Sequence, residues 1–77
     1  MVLLVFGAAQ QNQVAGVLVD ASDGGFRVRH PFSGFRQTDV VRFLHPLAEG
    51  TARVVWTRAV ALEFETGFVY LSAAASD

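Results

Sequence analysis

The sequence predicts an all-β fold, a small six-stranded antiparallel barrel. Three observations carry this. Apolar and polar residues alternate with period two in Phe26–Arg29, Ala52–Thr57 and Leu62–Glu65, the spacing of side chains along a half-buried strand. No stretch sustains the i, i+3, i+4, i+7 stripe of an amphipathic helix. Short apolar runs are separated at close intervals by Gly, Pro, Asp and Ser, the residues of turns. The 77 residues make one domain, 1–77. Its core is marginal, since a chain near this size buries only about 60% of its unfolded surface.

Val2–Phe6 is apolar and partly β-branched, and reads as the first strand. Val14–Val19 is the second, with Gly16 inside it. Asp20-Ala21-Ser22-Asp23-Gly24-Gly25 is a dense turn signal, because Asp, Ser and Gly supply local hydrogen bonds and positive φ. The next strand puts Phe26 and Val28 on one face and Arg27 and Arg29 on the other. His30–Phe35 is a loop, anchored by its phenylalanines. Val40–Leu44 is a strand ended by His45-Pro46, and Glu49-Gly50 is a turn. Thr51–Arg58 places Ala52, Val54 and Trp56 on one side, which makes Trp56 a core or interface residue, and Arg53, Val55 and Thr57 on the other. Val60–Glu65 sets Leu62 and Phe64 opposite Glu63 and Glu65. Gly67 then breaks the chain before a last run, Phe68–Leu71. The small residues from about Ser72 onward are expected to fray. The two His-Pro pairs, at residues 30 and 45, read as coincidence.

Apolar residues make up 52% of the chain and charged residues 17%, against roughly 25% charged in an average soluble domain. Apolar surface is therefore expected to remain on the outside, together with an uncovered edge on the first strand. Both point to a homo-oligomer or a protein partner. The six basic residues are all Arg and the net charge is −1, which argues against a broad nucleic-acid-binding surface. There is no Cys, so disulfides, zinc–thiolate centres and cysteine nucleophiles are excluded. The apolar start lacks a preceding basic residue and breaks at Gly7. It is too short for a signal peptide or a bilayer span, so a cytoplasmic protein without membrane insertion is expected. His30 and His45 have no acidic or His neighbour at ligand spacing, so no metal or cofactor is expected. Ser22 and Ser33 show no positioned His–Asp partners, and Glu63 and Glu65 read as a solvated face. No catalytic residue emerges, and an enzyme is not expected.

Asp20-x-Ser22-x-x-Gly25, entered from an apolar strand and followed by Phe26-Arg27-Val28-Arg29, resembles the second signature of the PilZ family, Asp or Asn-x-Ser-x-x-Gly. Asp39–Phe43 is similar to that family's middle strand, Ala52–Trp56 to its strand with a Val-Val-Trp run, and Ala61–Phe64 to its last barrel strand. The resemblance spans about Val14 to Leu71. It implies a six-stranded antiparallel barrel and a site for cyclic di-GMP, a bacterial second messenger. In such a site the Asp20 carboxylate accepts from guanine N–H groups. The Ser22 hydroxyl and the backbone N–H groups of the Gly25 turn meet guanine acceptors.

Arginines read the phosphates and stack on or grip the guanines. The family draws them from two Arg separated by three residues, ahead of the first strand. Here no Arg precedes Arg27. Arg27 and Arg29, and Arg36 in the loop beside Phe32 and Phe35, are the cations left to replace them. Losing two charge-assisted contacts of about 1.5–3 kcal/mol each weakens binding by orders of magnitude. The plain structural roles of the same residues are a turn held by Asp20 and Ser22 on backbone N–H groups, and a solvated Arg face. The expectation is a PilZ-like regulatory or protein-interaction module with weak or no cyclic di-GMP binding. The alternatives are a working cyclic di-GMP receptor, or an unrelated SH3-like barrel that oligomerises.

Overall fold

The structure is a computed structural model that describes residues 1–75. It contains six strands: β1 (Val2–Phe6), β2 (Asn12–Ala21), β3 (Gly25–His30), β4 (Val40–His45), β5 (Ala48–Val60) and β6 (Glu63–Ala75). A single 3₁₀ turn, Ala8–Gln10, joins β1 to β2. All pairings are antiparallel, and the sheet closes on itself in the order β1-β2-β3-β6-β5-β4. The all-β six-stranded barrel read from the sequence is the observed fold.

Alternation sorts the side chains. Val2, Leu4, Phe26, Val28, Val41, Phe43, Ala52, Val54 and Phe68 point inward and form one buried core. Fully burying one of the Val, Leu or Phe side chains among them is worth about 1.5–3 kcal/mol. Closure corrects one expectation. The first strand has no uncovered edge, because β1 pairs with β2 on one side and β4 on the other.

Other differences have local causes. Glu49 and Gly50 are not a turn but lie inside β5, opposite Leu44 and Phe43. The turn falls at Pro46-Leu47, where the His45 ring closes it: Nδ1 accepts from the backbone N–H of Leu47 and of Ala48, both at 3.1 Å. Gly67 does not break β6. It is buried mid-strand, and a Cβ there would come within 2.4 Å of the Trp56 ring. The turn before β6 is Ala61-Leu62, and Leu62, read as a strand residue, is 97% exposed. The tail expected to fray from Ser72 stays paired as β6 through Ala75, opposite Ala48. Ser76 and Asp77, the rest of that tail, lie outside the described residues.

The two His-Pro pairs are one device used twice, not a coincidence. Each His ends a strand and is buried inside the barrel. His30 Nδ1 accepts from the N–H of Phe32 at 3.2 Å, just as His45 Nδ1 accepts beyond Pro46. Because Nδ1 is an acceptor, Nε2 carries the proton. It donates to Thr66 Oγ1 at 2.6 Å in His30 and to the Tyr70 hydroxyl at 3.0 Å in His45. Phe35 is buried and packs with Phe6 and Phe32, so the 31–39 loop is anchored by its aromatics as expected.

Candidate functional site

The outer face of β2, β3, β6 and β5 gathers the polar residues that the core cannot hold. Cross-strand register defines two rows on it. Asp20 lies beside Arg27, Arg27 beside Gly67, and Gly67 beside Trp56. In the next row Val17 lies beside Arg29, Arg29 beside Glu65, and Glu65 beside Arg58.

Two β-bulges make the first row possible. On β2 the register skips Val19, pairing Leu18 with Val28 and Asp20 with Arg27. On β5 it skips Val55, pairing Val54 with Phe68 and Trp56 with Gly67. Each extra residue reverses the alternation beyond it. Asp20 thereby turns outward. Trp56, read as an inward partner of Ala52 and Val54, also turns outward, and Thr57 takes its place inside, hydrogen-bonded to Thr66 at 2.8 Å. The Trp56 ring lies over Gly67, with the Arg58 guanidinium 5.6 Å from the ring centroid.

The electrostatics are those of a closed network. Arg27 Nε donates to Asp20 Oδ1 at 2.8 Å, and its Nη2 donates to Oδ2. The hydrogen bond from Arg27 holds the Asp20 carboxyl below the usual carboxylate range, and the same bond raises the Arg27 guanidinium. Glu65, read as solvated, is covered instead: three guanidiniums roof it. Arg58 Nη2 donates to Oε2 at 2.9 Å, Arg27 Nη1 stands 3.9 Å from Oε2, and Arg29 Nη2 stands 4.0 Å from Oε1.

The signature residues Asp20, Ser22, Gly25 and Arg27 line one cleft of about 420 Å³ with Trp56 and Gly67. Ser22 closes the β2–β3 turn by donating its backbone N–H to the Gly25 carbonyl at 2.8 Å, with its hydroxyl also aimed at that oxygen. The turn is therefore held by Ser22 on a carbonyl, while Asp20 is spent on Arg27 rather than on backbone N–H groups. Gly25 allows the turn to touch β6, since a Cβ there would stand 2.0 Å from the Phe68 carbonyl oxygen. Arg29 sits one row away, facing Glu65. Arg36 is not brought to the cleft. Its backbone N–H donates to Asp39 Oδ2 at 2.8 Å, and it lines a separate recess with Phe6 and Phe35.

Trp56, Arg58, Glu65 and Gly67 belong to this site and were not singled out for it from the sequence. The arrangement offers an aromatic face beside a polar turn. Its cations are already engaged by carboxylates, and among the described residues it holds no nucleophile with a base to activate it. Comparison with protein-family models, curated proteins and solved structures returned no match.

Proposed function

We propose that the chain is a PilZ-like regulatory or protein-interaction module of bacterial second-messenger signalling, acting in the cytoplasm, and that it binds cyclic di-GMP weakly or not at all. The observation that carries this reading is the Asp20–Arg27 pair. The carboxylate meant for a guanine edge already accepts both arms of Arg27. A guanine must displace that guanidinium before it can bond there. The ligand's phosphates must in addition draw Arg27 and Arg29 away from Glu65. Each exchange offsets a new charge-assisted bond by the loss of an existing one. The half-exposed Trp56, backed by Arg58, is instead suited to a protein contact, where aromatic residues and Arg dominate binding energy.

Isothermal titration of the chain with cyclic di-GMP tests this. The expected result is no saturable heat, or a dissociation constant on the order of 100 µM or weaker. A sub-micromolar constant that is lost in Asp20→Ala would overturn the reading.

A further inference from the structure

Away from the Asp20–Trp56 cleft, β4, β1 and the first part of β2 present an apolar outer surface. The register sets Leu44 beside Leu3 and Leu3 beside Ala15. Val17 follows on the same face of β2, 66% exposed, where the ridge meets the Arg29 row. Next to this ridge runs an open groove of about 620 Å³, lined by Leu3, Val5, Leu44 and Ala74 with Arg42 and Glu49. Arg42 and Glu49 make no ion pair among the described residues, nor do Arg36 and Arg53, whereas Arg27, Arg29 and Arg58 beside the cleft all face carboxylates.

We infer that this face binds a second copy of the chain, as a two-fold dimer with Arg42 of each protomer paired to Glu49 of the other. A two-fold axis brings each patch onto itself, so that residue i meets j and j meets i. A patch carrying one unpaired cation and one unpaired anion beside an apolar ridge and groove is complementary to its own copy. Another patch of the same kind satisfies both charges and covers both ridges at once. A standard interface takes roughly 800 Å² per partner, about a sixth of the 4754 Å² surface, and the ridge and groove together draw on β1, β2, β4, β5 and β6.

Sedimentation velocity of the whole chain at tens of micromolar tests the inference. The expected mass is twice the 8.3 kDa of the chain. Arg42→Glu and Glu49→Arg should each give monomer, and the double exchange should restore the dimer. Leu44→Glu should also give monomer. All three positions are exposed, and circular dichroism checks that each variant keeps its strands. A monomeric wild type overturns the inference, and so does a dimer that survives all three single substitutions. A face that takes a different protein shows itself as the first of these outcomes. The ligand titration reports on Asp20 and Arg27, which belong to neither the ridge nor the groove, so either reading can fail without the other.

Discussion

His30 and His45 are buried as neutral imidazoles, and their hydrogen bonds demand that state. Protonation would put an N–H at Nδ1 against the backbone N–H groups that now point at it. Burial pushes both side chains below the ordinary value of 6.5. The groups around them offer little compensation. His30 faces Thr66, Phe35 and Phe64, with the charge of Glu63 acting weakly in the other direction. His45 faces Tyr70, Phe26 and Phe43, with a hydrogen bond to its own backbone acting in the other direction. A depressed imidazole means that the unfolded chain binds more protons below pH 6.5, so stability is complete above that value and falls as the pH drops beneath it. Asp20 is lowered from 3.8 and does not titrate in this window. Thermal melts should show a lower Tm at pH 5.5 than at pH 7.5, and His30→Gln combined with His45→Gln should flatten the dependence. A wild type with equal melting temperatures at both values would contradict the assigned tautomers. The carboxylates rank in the same terms. Glu65 is covered and Asp20 is open to solvent. Denaturant titration should therefore show Glu65→Gln losing about 1–3 kcal/mol, with Asp20→Ala close to wild type. Equal losses would mean that the roof over Glu65 contributes nothing.

At the level of the strands, Phe26–Arg29 and Val40–Leu44 were legible because their alternation is unbroken from end to end. The β2–β3 turn was legible because Asp, Ser and Gly have local conformational reasons to be there. The facing of Trp56 was not. It depends on a bulge at Val55, an ordinary strand residue whose extra place is visible only when β5 is aligned with β6. The same holds for Asp20, turned outward by Val19. Glu65 and Arg58 were missed as site residues for a related reason: register across β3, β6 and β5, which is non-local, brings them to Arg29 and Arg27. Gly67 looked like a breaker because a strand glycine gives no local sign that an aromatic ring will lie on it. The bulge has a direct optical consequence, since Trp56 is the one tryptophan. Its emission should be that of a partly hydrated indole and should be quenched by acrylamide in the native state. A blue-shifted, unquenched emission would return Trp56 to the interior and remove the bulge.

The whole molecule depends on closure through its shortest strand. β1 has five residues, yet it bridges β2 and β4, and two of its side chains, Val2 and Leu4, are fully buried. Without it, β2 and β4 would each present a row of unpaired N–H and C=O groups. A chain of 77 residues has a total stability of roughly 4–12 kcal/mol at about 0.05–0.15 kcal/mol per residue. A buried Leu→Ala substitution costs about 2–5 kcal/mol. Leu4→Ala should therefore consume a large share of the total, and the opened edges should make the variant aggregate as it unfolds. Leu62→Ala, on the exposed β5–β6 turn, removes the same atoms from a site that buries none of them, and should leave the denaturation midpoint unchanged. The contrast separates barrel closure from simple loss of hydrophobicity. If Leu4→Ala costs less than about 1 kcal/mol, as surface substitutions do, β1 is not the strand that closes the barrel.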